Sequence, residues 1–241
     1  MIDYIQKTYR GNNESFFKLI EENLKNDKKM FIVTANPETF MKADTIPEFD
    51  KILKNEATTI VPDGIGVVKA ANYIGIKEIQ ERITGVDISY KLLEYSDKYK
   101  KSIYLLGASK EVIELTVKNI KNQYPNVNIV GYCDGYIKDK DIKFDEIQKL
   151  NPDVVLVALG VPSQEILIGK HYDKFDKGIF VGVGGTFDVI SGTKKRAPQI
   201  VQKLNIEWLY RIIGSKERIK RFYNSNVKFV FKIRKMKKSN K

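Results

Sequence analysis

Six short apolar runs punctuate the chain, at residues 30–34, 58–61, 102–106, 127–131, 153–159 and 178–183, and nearly every one gives out at Gly, Asp, Asn or Thr. Consecutive Val, Ile and Leu in so short a run predict a strand covered on both faces. Between the runs, residues 16–24, 65–74, 88–99, 112–124 and 164–175 carry apolar side chains three and four apart, the spacing of amphipathic helices. Alternation of the two patterns predicts an α/β fold, a Rossmann-like, doubly wound and mostly parallel sheet with helices on both faces. Ligands of such a sheet gather at the carboxyl ends of its strands.

The pattern changes at Arg196-Ala197-Pro198, which divides a core of residues 1–195 from an appendage of residues 196–241. In the appendage, 199–213 reads as a helix, Gly214-Ser215 as a break and 216–223 as helix again. Residues 227–236 fit two readings: Val227, Phe229, Phe231 and Ile233 alternate as in a strand, while Phe229, Ile233 and Met236 share one helical face. Charge sharpens the division. From Lys194 onward there are sixteen Lys and Arg against Glu207 and Glu217, a net of +14, whereas the whole chain carries +12, so residues 1–193 sum to −2. Aromatic side chains such as Trp208, Tyr210, Phe222 and Phe231 are interleaved with the cations. A basic, helical appendage of this kind suits an anionic membrane surface or a nucleic acid.

Several chemistries are set aside by composition. Cys133 stands alone, which excludes an intramolecular disulfide and suits a reducing cytoplasm. The longest apolar run, 154–161, is far short of the ~20 residues that cross a bilayer, and Asp3, Lys7 and Arg10 interrupt the start before a signal-peptide pattern develops. Any membrane contact is therefore expected to be peripheral. His171, the single histidine, falls on a helix and reads as a surface residue; a histidine-dependent triad and a multi-histidine metal site are excluded. Asp139-Lys140-Asp141 has the Asp-x-Asp form of metal-dependent sugar-nucleotide enzymes but sits in a lysine-rich stretch and reads as a solvated turn. There is neither a P-loop nor a Gly-x-Gly-x-x-Gly fingerprint. No metal and no cofactor is expected.

Polar clusters fall where the apolar runs end. Thr34 and Asn36 close the first run ahead of Pro37, and Asn36 alone would be read as a helix cap. Asp63, followed by Gly64 and Gly66, closes the second, and it too reads as a cap when taken singly. Two such clusters on neighbouring strands point to a shared crevice. Arg82, Thr84 and Gly85 precede a helix that Asp87 is expected to cap, and an Arg beside a crevice can grip a phosphate with its planar fork. Gly107-Ala108-Ser109 ends a strand ahead of a helix, whose N–H groups and dipole favour an anion. Gly160 to Glu165 and Gly182 to Asp188, with Gln164, Gly184 and Gly185, repeat the design. A glycine pair can also simply make a turn.

In this order, Thr34-Ala-Asn36-Pro-Glu, Pro62-Asp63-Gly64-Ile-Gly66, Arg82-Ile-Thr84-Gly85-Val-Asp87, Gly160-Val-Pro-Ser-Gln164-Glu165, Gly182-Val-Gly184-Gly185-Thr-Phe-Asp188, Lys195-Arg196-Ala-Pro198 and Glu207-Trp208-Leu-Tyr210-Arg211 resemble the WecG/TagA/CpsF family of bacterial glycosyltransferases. The resemblance spans about residues 31–221. It implies inverting transfer of N-acetylmannosamine or a related sugar from a UDP-sugar donor to a polyprenyl-diphosphate-linked sugar acceptor, undecaprenyl-diphosphate-N-acetylglucosamine in its best-known branch. That step belongs to the synthesis of the teichoic acid linkage unit or another cell-surface polysaccharide. The implied location is the inner face of the cell membrane, peripherally bound. Carried over by motif, Asp63 is the general base, Thr34 and Asn36 position substrate, and Arg82 and Gln164 line the site. The glycine-rich turns with Ser109 and Asp188 join the substrate-binding set, and Arg211, Arg218 and Arg221 are the arginines that the appendage would contribute. Self-association stays open. Ser163 departs from the lysine frequent after the corresponding proline, and residues 1–29 match loosely. Two readings compete: a nucleic-acid-binding protein, which explains the tail but not the clusters, and a soluble nucleotide-dependent oxidoreductase, which lacks its glycine fingerprint.

Overall fold

The computed structural model describes residues 1–203, 207, 219–220 and 222–239. Its centre is a six-stranded, wholly parallel sheet in the order β2–β1–β6–β5–β3–β4, with β1 Met30–Ala35, β2 Thr58–Pro62, β3 Ser102–Gly107, β4 Asn128–Cys133, β5 Val154–Ala158 and β6 Ile179–Gly182. All six expected strands form. β5 is buried along its whole length, which is why it reads as an unbroken apolar run. β4 lies at an edge and is only half covered.

Helices cover both faces. One carries α1 Ile2–Lys7, α3 Pro37–Ala43, α4 Pro47–Lys54, α5 Ile65–Tyr73, α8 Lys140–Leu150, α9 Ser163–His171 and the last helix, α12 Lys228–Ser239. The other carries α2 Asn13–Lys25, α6 Gly85–Tyr99, α7 Lys110–Gln123 and the short α10 Thr186–Ile190; α11 Gln199–Lys203 begins the appendage. Strand alternation divides the core between the two layers. Phe31, Val33 and Ala35 of β1 face the first layer, and Met30 and Ile32 face the second.

Residues 228–239 are helical, and the two-way reading of the tail resolves accordingly. Phe229 and Ile233 are buried and Met236 packs beside them. The Phe229 ring stacks on Phe40 of α3 at 6.2 Å between centroids. Lys232 reaches Asp44 at the end of α3, and Lys237 bonds the Tyr73 carbonyl at the end of α5 with its ammonium 4.1 Å from the Tyr73 ring centroid. The final helix thus straddles the two helices that follow β1 and β2.

Two expectations need correction. His171 is buried, not exposed: its Nε2 lies 2.7 Å from Asp141 Oδ1 and its ring 5.2 Å from that of Phe144. Asp139-Lys140-Asp141 is not a solvated turn. Asp139 caps α8 by accepting from the Ile142 N–H, and Asp141 pairs with both Lys170 and His171 of α9. The lysines mask a helix whose Phe144 and Ile147 are buried three residues apart.

Candidate functional site

Backbone bonding at the carboxyl end of the sheet assembles the site. Thr34 sits opposite Val61 in the β1–β2 register, and Ala35 opposite Pro62. One step beyond the ladder, the Asp63 N–H donates to the Ala35 carbonyl at 2.8 Å, which brings Asp63 alongside Asn36. The Ile83 N–H donates to the Pro62 carbonyl, also at 2.8 Å, and so draws the Arg82 segment to the other side of Asp63. Gly85 lies against the Thr34 side chain, where a Cβ would stand 3.5 Å from its atoms. Thr34, Asn36, Asp63 and Arg82 therefore belong to three chain segments that run side by side at the carboxyl end of the sheet.

Each side chain has a local duty as well. The Thr34 hydroxyl donates to the Gly182 carbonyl at 3.2 Å, tying β1 to the end of β6. Asn36 caps α3 in a reciprocal arrangement: its side chain accepts from the Thr39 N–H, and the Thr39 hydroxyl accepts from the Asn36 N–H. Asp63 is half-buried. For α6 the cap is Thr84 rather than Asp87; the Asp87 N–H donates to Thr84 Oγ1, and the Thr84 hydroxyl donates back to the Asp87 carboxylate at 2.6 Å.

Arg82 is engaged by the appendage. Its guanidinium donates to Glu207 Oε2 and to the Gln202 carbonyl, each at 3.0 Å. Arg196 donates to Asp87 Oδ1 at 2.7 Å, and its Nε lies 3.9 Å from Glu207 Oε1. Glu207 is buried, so two arginines and one enclosed carboxylate fasten the start of the appendage to the Arg82–Asp87 segment. An open groove of about 730 Å³ runs beside them, with Tyr90, Lys91, Arg196 and Gln202 in its lining. Asp87, Arg196 and Glu207 were legible only as members of motifs, because this network joins residues more than a hundred positions apart.

The remaining strand ends complete the rim. Gly107 has φ +127°, and a Cβ there would stand 2.3 Å from the Ala158 carbonyl oxygen, so only glycine fits. Ser109 caps α7 by accepting from the Val112 N–H. After β6, Gly184 and Gly185 lead into α10, where the Asp188 carboxylate takes Lys194. Gln164 is fully buried and faces protein groups: its Oε1 accepts from the N–H groups of Gly160 and Gly184, and its Nε2 donates to Glu165. Arg211, Arg218, Arg221 and Trp208 lie outside the described residues. Among the described residues, no three His, Cys, Asp or Glu side chains converge to hold a metal ion.

A doubly wound parallel sheet gathers its ligands beyond the carboxyl ends of its strands, and there this one carries carboxylate, amide, hydroxyl and guanidinium groups. The chain belongs to the glycosyl transferase WecG/TagA/CpsF family, whose model matches residues 7–241. It is 43% identical over 198 residues to the N-acetylglucosaminyldiphosphoundecaprenol N-acetyl-beta-D-mannosaminyltransferase of Bacillus spizizenii, covering 82% of this chain and 76% of that protein. The transferase of the same name from Bacillus subtilis is 40% identical, with 88% and 82% covered. That of Staphylococcus aureus strain MW2 is 37% identical, with 87% and 81% covered. The protein is an enzyme of the glycosyltransferase class, and the oxidoreductase and nucleic-acid readings give way to it.

Proposed function

We propose that the chain transfers N-acetylmannosamine, or a closely related sugar, from its UDP donor to undecaprenyl-diphosphate-N-acetylglucosamine. The observation that carries this reading is the convergence of Thr34, Asn36 and Asp63 at adjoining strand ends in a chain with relatives of that name. Asp63 acts as general base. As the acceptor hydroxyl oxygen attacks the anomeric carbon, its proton passes to the Asp63 carboxylate, the bond from the sugar to the diphosphate breaks, and UDP departs with the electron pair. Thr34 and Asn36 orient the sugar. The N–H groups at the Gly107 and Gly184 turns, with Arg82 and the appendage arginines 211, 218 and 221, balance the negative charge of the leaving group.

The appendage also accounts for the lipid acceptor. No helix among the described residues is long and apolar enough to cross a membrane, and the reading is of peripheral binding at an anionic inner leaflet. On α12, Val230 and Phe231 are exposed beside Arg234, Lys235 and Lys238, an arrangement that suits a headgroup layer. Asp63→Asn tests the chemistry. It is expected to lower turnover with a short-chain lipid-diphosphate acceptor by about 10²–10⁴-fold while leaving the thermal melt in place. Turnover near the wild-type value would remove Asp63 from the role of base.

A further inference from the structure

The buried Gln164–Glu165 pair at the head of α9 serves no step of the transfer above. Gln164 Oε1 accepts from Gly160 N–H at 3.0 Å and from Gly184 N–H at 3.1 Å, so one carbonyl oxygen holds the loops after β5 and β6 together. Two N–H donors on one side oblige the amide to present its oxygen there and its NH₂ group on the other. That NH₂ group points into the protein and meets Glu165 Oε1 at 2.7 Å. There is no slack around the pair: a Cβ on Gly182 would lie 2.6 Å from Gln164 Nε2 and 2.8 Å from Glu165 Oε1. The carbonyl of the same Gly182 receives the Thr34 hydroxyl.

We propose that Glu165 is a positioning residue of the transferase site: its carboxylate fixes the Gln164 amide in the one orientation that clamps the Gly160 and Gly184 loops and, through Gly182, seats Thr34. A buried amide next to two N–H groups has a second, flipped orientation, in which it would meet those donors with a donor of its own. Glu165 Oε1 accepts whether the group is ionised or carries its proton on Oε2, so it discriminates between the two. Burial raises the Glu165 carboxyl to about 7, and its second oxygen has no hydrogen-bond partner among the described residues. The side chain is thus kept at an energetic cost where an apolar residue would pack more easily. The assignment rests on the crevice being the transfer site.

Amide hydrogen exchange tests the clamp without depending on any donor sugar. In the full-length protein, Glu165→Met strands the Gln164 NH₂ group, and exchange at Gly160 and Gly184 is expected to accelerate at least tenfold, with a matching fall in kcat and little change in KM for the UDP-sugar. Glu165→Gln, which keeps an acceptor for that NH₂ group, is expected to hold exchange within about threefold of wild type and to recover most of the turnover. Gln164→Ala removes the clamp itself and stands in should Glu165→Met not fold; it is expected to give the same acceleration, and the double variant no more. Unchanged protection at both glycines in Glu165→Met or Gln164→Ala overturns the proposal. So does loss of turnover with protection intact, which would assign Glu165 to the chemistry instead. Accelerated exchange without any transferase activity in the wild-type protein would sustain the clamp and defeat the functional reading.

Discussion

Glu165 and Gly107 show how single residues at this site are constrained by what surrounds them. The Glu165 carboxyl, raised by burial from 4.5 to about 7, binds more protons in the native chain than in the unfolded one between those two values. Its contribution to stability is therefore complete below pH 4.5 and declines as pH rises through 7. Glu165→Gln abolishes this titration, and urea midpoints measured at pH 5 and pH 7.5 are expected to lie closer together than in the wild type. At Gly107 the constraint is steric. Gly107→Ala puts a methyl group against the Ala158 carbonyl in a backbone conformation that side chains rarely adopt, and it is expected to cost roughly 1–3 kcal/mol in denaturant unfolding. Asp63 and Asn36 were legible as candidates because polar residues at the end of an apolar run stand out. The duty of Gln164 was not, since its partner Gly184 lies twenty residues along the chain. His171 was misread because a lone histidine on a helix reveals nothing of the two aspartates that α8 brings to it.

Among the elements, α12 separates two roles that the sequence leaves mixed. Alternation over residues 227–233 suggested a strand, but the spacing of Phe229, Ile233 and Met236 matches the helix, and burial against Phe40 decided the outcome. The apolar tail residues therefore divide by face. Phe229→Ala is expected to lower stability by about 3–5 kcal/mol, as loss of a buried aromatic does, seen as a fall in the urea midpoint. Phe231→Ser, on the exposed face, is expected to leave that midpoint within about 0.5 kcal/mol and to reduce sedimentation with anionic vesicles. Equal destabilisation by both would mean that the outer face is also packed. The strands were legible because runs buried on two faces hide nothing, whereas α4 and α8 escaped notice for being short and rich in lysine and acid.

For the molecule as a whole, composition announced the contrast between a near-neutral body and a basic end, but not how the two are joined. That joint is made by the ion pairs of Arg82, Arg196, Asp87 and Glu207 and, separately, by the packing of α12 into the first layer of the core. Cationic binding to a leaflet is screened by salt, with a Debye length near 10 Å at 0.1 M and about 3 Å at 1 M. Sedimentation with anionic vesicles is expected to fall steeply over that range while the melting temperature changes little. Binding that persists undiminished at 1 M would point to apolar insertion as the dominant attraction.

The docking of Phe229 on Phe40 also has a bearing on the order of folding. Beside it, the contact of Lys232 with Asp44 joins residues 188 positions apart, and pairings of such separation carry a loop-closure entropy that makes them slow to form. The brace that α12 places across α3 and α5 is therefore expected to close late in folding, so that weakening it speeds unfolding more than it slows refolding.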